Sequence, residues 1–211
     1  MKHLRLILAI PVLLLAACST PVGTRTAEAV SIVRGFQSSE HPIPSAVFER
    51  AKGVAILRET SGALVVGGAG AEGVFLRREG AQWSAPVAIN TASASIGLQA
   101  GGQSRDIVLV LNTDAEVEKL LADGLFGLAE ADAVAGPSRT DDKNSPGALP
   151  ANYYYVRRAG LFGGLLVGGV YFSVAEGVNE DTYGPGVGAR EIVDGKVKPP
   201  PGTSILWQAL N

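Results

Sequence analysis

Tyr153-Tyr154-Tyr155-Val156-Arg157-Arg158 opens a stretch that runs on through seventeen uncharged residues, Ala159 to Ala175, five of them glycine. It closes on Glu176-Gly177-Val178-Asn179-Glu180-Asp181-Thr182-Tyr183-Gly184. Gly160, Gly164 and Gly168 fall at the small-xxx-small spacing used where membrane helices pack. A span, however, needs about 20 apolar residues, and each interior glycine costs a soluble helix roughly 1 kcal/mol relative to alanine. Aromatic and β-branched residues interleaved with glycine fit strands, with glycine where a sheet bends or a neighbouring backbone comes close. The stretch is therefore read as strands, and the chain as a sheet protein.

Composition agrees with that reading. A chain of 211 residues, 46% hydrophobic and 18% charged, is enough for one domain with a sizeable core and is not disordered throughout. The 27 glycines against 6% aromatic point away from a helical bundle. A formal charge of -2 supplies no nucleic-acid surface.

At the N-terminus, Lys2 and Arg5 precede an apolar run over 6–17, the charge and length of a secretory signal. Leu15-Ala16-Ala17-Cys18 resembles the lipobox of bacterial lipoproteins, which implies cleavage after residue 17 and acylation of Cys18. Cys18 is the sole cysteine, so no internal disulfide exists. With Ser19 and no aspartate next, the same resemblance implies the periplasmic face of the outer membrane. Residues 18–25 read as a short tether and 26–211 as a single domain.

Along that domain, 26–37 reads as a helix, with Ala29, Val30, Val33 and Phe36 at three- and four-residue spacing. His41-Pro42-Ile43-Pro44 breaks it, and Ser45 is placed to cap a second helix over 46–52. Strands are predicted over 54–58, 64–68, 73–78, 83–88, 93–99 and 106–111, with turns at Ser61-Gly62, Glu79-Gly80 and Gly101-Gly102. Thr113-Asp114-Ala115-Glu116 has capping-box form and starts a helix ending near Gly124. Residues 138–150 read as a surface loop, and 204–210 as a terminal helix. The predicted fold is α+β: a bent antiparallel sheet or partial barrel closed by a few short helices over 26–52 and 113–123.

A family pattern runs through the same residues. Pro44, Ala51-Lys52-Gly53-Val54-Ala55-Ile56, Gly67-Gly68, Gly70, Gly73, Trp83-Ser84-Ala85-Pro86, Ser95-Ile96-Gly97-Leu98-Gln99-Ala100-Gly101, Asp106-Ile107-Val108 and Ala135-Gly136-Pro137 occur in order. Gly160-Leu161-Phe162-Gly163-Gly164, Asn179 and Tyr183-Gly184 complete it. In this order and spacing, over about 42–193, the chain resembles the SYLF domain, a lipid-binding module also described as an actin regulator in fungi. Where that family often carries a glutamate before a glycine in the second glycine tract, this chain has Gly168. The resemblance implies phospholipid binding, and membrane anchorage implies a role in envelope maintenance; actin would not be met by a secreted bacterial protein. The alternative is an interaction module holding an envelope protein partner, without a lipid ligand of its own.

The residues add little catalytic chemistry. Gly68-Ala69-Gly70-Ala71-Glu72-Gly73 matches a dinucleotide fingerprint, but Val74-Phe75-Leu76 continues as strand where a helix should face the pyrophosphate. No nucleophile elbow or zinc-protease motif occurs, and the chain is read as neither an enzyme nor a cofactor binder. Glu176, Asn179, Glu180 and Asp181 lack calcium-loop spacing, and Asn179 is read as bonding its local backbone in a turn. The candidate ligand-binding residues are Lys52, Arg77, Arg78, Arg157 and Arg158, because guanidinium pairs at strand ends suit the phosphate of an anionic phospholipid. Solvated surface arginines are the alternative, and adjacent strand residues face opposite ways, so one of each pair at most can join a common patch.

Overall fold

The computed structural model describes residues 19–40, 42–63, 66–96, 101–123, 126–128, 134–135, 152–158 and 170–211. Its centre is four long antiparallel strands: β1 (Gly53–Ala63), β2 (Val66–Glu79), β4 (Val87–Ile96) and β5 (Gly101–Leu111). Short β3 (Gln82–Trp83) pairs with the end of β2. Further strands are β6 (Phe126–Leu128), β7 (Val134–Ala135), β8 (Asn152–Arg158) and β9 (Val170–Val174). The order across the sheet is β6-β9-β4-β2-β1-β5-β8-β7, with β7 alone parallel to its neighbour. The sheet is open and the fold is α+β, as predicted.

The opening stretch begins as a strand, returns as one and closes as a helix over 176–183. Tyr153 to Arg158 pairs with β5, and Tyr171 to Val174 with β4; residues 159–169 lie outside the described ones. The predicted turns at Ser61-Gly62 and Gly101-Gly102 fall in strands instead, the first inside β1 and the second at the start of β5. Gly62 pairs with Gly68 on one side and with Gly102 on the other, so the glycines line up across three strands. Of the two segments predicted at 64–68 and 73–78, the described residues 66–68 and 73–78 belong to one strand that runs through Gly73, and 64–65 lie outside the described residues. A Cβ at Gly73 would collide with the Ile56 carbonyl oxygen and stand 2.7 Å from the Leu57 Cα, so glycine is required there by the closeness of β1.

Helices cover both faces. On one lie α1 (Val22–Gln37), α2 (Ser45–Arg50) and α6 (Thr203–Leu210), burying Val22, Val30, Val33, Phe36, Phe48 and Leu206 against Val54, Ile56, Val74, Leu76 and Val108. On the other, α3 (Asp114–Asp123) and α5 (Ala189–Val193) bury Val117, Leu120 and Ile192 against Ala55, Leu57, Phe75, Ile89 and Leu109. The predicted helical groups 26–52 and 113–123 therefore sit on opposite faces and do not close one side. Every second residue of β1 enters one core and its neighbours the other, which is why these strands read as continuous apolar runs.

Three local readings change. Helix α1 begins at Val22, four residues before the predicted start, because Val22 is fully buried and Arg25 has partners in the sheet. Ser45 is the first residue of α2, and its side chain makes no cap bond. The region of Asn179 is α4 (Glu176–Tyr183), not a turn. In α3 the predicted cap holds: the Glu116 N–H donates to Thr113 Oγ1 at 3.3 Å. No described helix is long and apolar enough to cross a membrane.

Candidate functional site

Register fixes which side chains share a face, since paired residues in a ladder point the same way. On the α1 face, the row Ala88–Val74–Ile56–Val108–Tyr155 is buried core. Two residues further along each strand, the next row on that face is Ser173–Asn90–Glu72–Arg58–Asp106–Arg157, spanning six strands. Such a polar row beneath a helix needs partners, and α1 supplies two, one turn apart.

Arg25, only 1% exposed, is the first. Its Nη1 donates to the Ile89 carbonyl and to Asn90 Oδ1, both at 2.8 Å, and its Nε donates to the Thr20 carbonyl at 2.7 Å. Nη2 stands 3.1 Å from Glu72 Oε1, a charge contact without hydrogen-bond alignment. Burial lowers the Arg25 pKa, with Glu72 and Glu28 opposing the shift. Glu28 is the second: it accepts from Arg58 Nη1 at 2.7 Å. Arg58 Nε donates to Asp106 Oδ1 at 2.8 Å, and Arg157 Nη2 to Asp106 Oδ2 at 2.5 Å. The hydrogen bond to Asp106 raises the Arg58 pKa, with burial opposing it. Arg157 lies with its guanidinium carbon 5.7 Å from the centre of the Phe36 ring, beside Gly35, where any Cβ would run into it. Three cations and three anions thus form a belt neutral in sum, tying α1 to the sheet.

Past the belt the same face is open. Tyr171–Ala92–Gly70–Thr60–Ser104 is the next row, and Tyr171, Ala92, Gly70 and Thr60 are all exposed, Tyr171 by 56%. No residue in 60–71, 91–104 or 159–175 is charged. On the reverse face the step beyond the belt carries Glu59 and Arg105, a buried ion pair. The sheet is thus divided: one half has cores on both faces, while the other is glycine-rich and, on the α1 side, uncharged and without a helix among the described residues.

The sequence-predicted residues do not converge. Lys52 lies at the start of β1, 3.7 Å from Asp114. Arg77 faces the α3 side, within 3.5 Å of Glu118 and 3.9 Å of Asp194. Arg78 faces the α1 side, donates to the Phe48 carbonyl at 3.1 Å and lies over Trp83 at 5.1 Å. Arg157 sits at the belt's end, five pairs further along β1, about 17 Å at the strand rise of roughly 3.4 Å per residue. Arg158 pairs with Arg105 in the backbone register, and its side chain, like Cys18, is outside the described residues. Of the five, Arg157 alone borders the uncharged half within the described side chains.

Asn179 corrects the local-turn reading. It is 1% exposed, its Oδ1 accepts from the Ala88 N–H at 2.7 Å, and its Nδ2 donates to the Ala88 carbonyl at 3.2 Å, so it closes the exposed backbone of β4. Glu180 accepts from the Gly186 N–H, and no described cluster of three His, Cys, Asp or Glu could hold a metal ion. The Gly68–Gly73 fingerprint lies inside β2, without the helix a pyrophosphate needs. Sequence reading missed Arg25, Glu28, Asn90, Glu72, Arg58 and Asp106. A faint signal was available in Arg25 and Glu28, charges three residues apart at the edge of an apolar helical stripe.

The described residues thus form a glycine-rich sheet packed on two faces and crossed by an ionic belt. The family described as "Ysc84: Las17-binding protein actin regulator" matches residues 92–211. LAS seventeen-binding protein 3 of Saccharomyces cerevisiae is 32% identical over 178 residues, 82% of this chain and 39% of that protein. Protein YSC84 of the same yeast is 30% identical over 199 residues, 89% of this chain and 42% of that one. SH3 domain-containing YSC84-like protein 1 of Rattus norvegicus is 32% identical over 173 residues, 80% of this chain and 51% of its own length. The chain belongs to the Ysc84 (SYLF) family, and it spans about half or less of these relatives. No solved structure matches it.

Proposed function

We propose that this chain is a bacterial lipoprotein, acylated at Cys18 and held at the periplasmic face of the outer membrane, whose SYLF domain binds anionic phospholipid in envelope maintenance. It acts as a binding protein, not an enzyme. The observation that carries this reading is the open, uncharged half of the sheet bordered by a belt of charged groups. Such a surface suits a ligand with apolar chains and a charged head. Acyl chains lie along the glycine-lined face, and Arg157 is the belt cation placed to meet a phosphate. The lipobox at Cys18 supplies the membrane.

A second reading, a module that holds an envelope protein partner, draws on the printed names: one relative is named for binding a protein, and the family description names a Las17-binding actin regulator. Two measurements on one variant separate them. Cys18→Ala should move the protein from the membrane to the soluble fraction, and mass spectrometry of the released domain should find phospholipid retained near one per chain. An empty domain that pulls down no vesicles, anionic or neutral, gives the protein-partner reading the stronger claim. Continued firm membrane association would remove the lipid anchor from the proposal.

A further inference from the structure

The belt and the anchor lie close together, and this sets how the domain sits. Thr20, two residues after Cys18, is held by Arg25, whose other hydrogen bonds are to Ile89 and Asn90 in β4. Two residues of extended chain span about 7 Å at most. The sulfur that carries the acyl chains is therefore rooted close to the belt, and the domain does not hang from a long flexible tether.

We propose that the face beyond the belt, the row Tyr171–Ala92–Gly70–Thr60, is docked on the phospholipid bilayer that holds the anchor. The inference rests on acylation of Cys18 and adds an orientation to it. Three observations favour this side. The row lies one step from Asn90, to which Arg25 bonds. It carries no charge, so pressing it into the headgroup region strips water from no ion, whereas the opposite end of the strands holds Lys52, Arg77, Arg78, Glu79, Asp114 and Glu118. Tyr171 is the most exposed large apolar side chain described, and a tyrosine ring suits the membrane interface, where one end is apolar and the other wet. The backbone of this half is bonded strand to strand, which lowers the cost of bringing it out of water.

The test uses the acylated full chain, in which the modified Cys18 leaves any introduced cysteine as the only free thiol. Tyr171→Cys, Ala92→Cys and, as a control on α2, Ser45→Cys are each labelled with an environment-sensitive fluorophore. Each is reconstituted into phosphatidylcholine–phosphatidylglycerol vesicles, with and without brominated acyl chains. Labels at Tyr171 and Ala92 should shift to the blue and lose emission to the brominated chains, while the label at Ser45 stays in water. Protein that remains on the vesicles with all three labels in water overturns the orientation and leaves the anchor standing. Protein that does not remain on the vesicles overturns both. A blue shift at Tyr171 that grows with protein concentration in the absence of lipid assigns the face to a second copy of the chain, and overturns bilayer docking.

Discussion

Arg25→Met tests whether the belt holds α1 in place. The substitution keeps a long side chain of comparable reach and deletes three hydrogen bonds from a charged donor together with the Glu72 contact. Each charge-assisted hydrogen bond contributes about 1.5–3 kcal/mol net, but these energies overlap at one guanidinium, and methionine recovers some apolar packing. Glu72 is 45% exposed and regains water when its partner is lost, so it adds less than about 1 kcal/mol. The buried Ile89 carbonyl loses this donor and keeps only its place opposite Gly73 in the ladder, and part-buried Asn90 Oδ1 loses its donor with partial access to water. Those lost contacts set the cost at about 2–3 kcal/mol. Urea denaturation of the Cys18→Ala domain measures it, with Glu72→Gln as the comparison, expected to cost about 1 kcal/mol or less. The domain's N-terminus should also become the first site of proteolysis. If Arg25→Met costs less than about 1 kcal/mol, or no more than Glu72→Gln, the belt does not hold the helix and the anchor geometry drawn from it fails.

Gly73→Val puts a side chain into the β1 backbone at Ile56 and Leu57 and should destabilise by about 3 kcal/mol or more, read as a lowered urea midpoint; an unchanged midpoint would mean that the strands can part at no cost. Asn179→Leu leaves the Ala88 N–H without its partner, while the Ala88 carbonyl keeps the Ala175 N–H at 2.9 Å, for an expected loss of about 1–3 kcal/mol; a loss under about 0.5 kcal/mol would show that water reaches β4 there. Tyr155 and Tyr183 have raised pKa values, in both cases chiefly through burial, with Tyr153 adding to the shift at Tyr155. Both tyrosines are neutral below about pH 10 whether folded or not, so their contribution is complete there. Above about pH 10 the unfolded chain releases protons that the folded one keeps, and stability should fall by at most about 1.4 kcal/mol per pH unit per tyrosine. Tyr183→Phe should shorten that fall; an alkaline limb with the wild-type slope would refute the assignment.

The α+β class was legible because its signals are local. The capping box before α3, the apolar spacing of α1 and the aromatic, β-branched run of β8 each state a preference that the tertiary structure does not oppose. Glycine was the point of failure. Ser61-Gly62 and Gly101-Gly102 carry the same turn signal as Glu79-Gly80, and only the last is a turn, where Gly80 takes a positive φ of 59°. Gly62 is in a strand because Gly68 and Gly102 lie opposite it, a fact of pairing that no local window contains. The site was less legible still. Arginine pairs stand out because they are adjacent, yet a strand sends adjacent side chains to opposite faces. The belt is built from residues 30 to 65 apart in sequence, such as Arg58 with Glu28 and Arg25 with Asn90. Arg25 itself fell in what read as a tether.

A row of ions under a helix is a poor way to gain stability, because removing charged groups from water costs about as much as their pairing returns. Its better use is to fix register. If α1 slid by one turn along the sheet, Arg25 would leave the Ile89 carbonyl and Glu28 would leave Arg58, and two buried and two half-buried polar groups would lose partners together, whereas the apolar stripe of Val22, Ala29, Val33 and Phe36 could slide at far smaller cost. Apolar packing thus places the helix on the face, and the belt sets how far along it reaches. Because Thr20 hangs from that same arginine, the belt also sets where the chain leaves the domain toward Cys18. On the proposal that Cys18 is acylated, the same contact would hold the membrane attachment at one fixed distance from the open, uncharged surface.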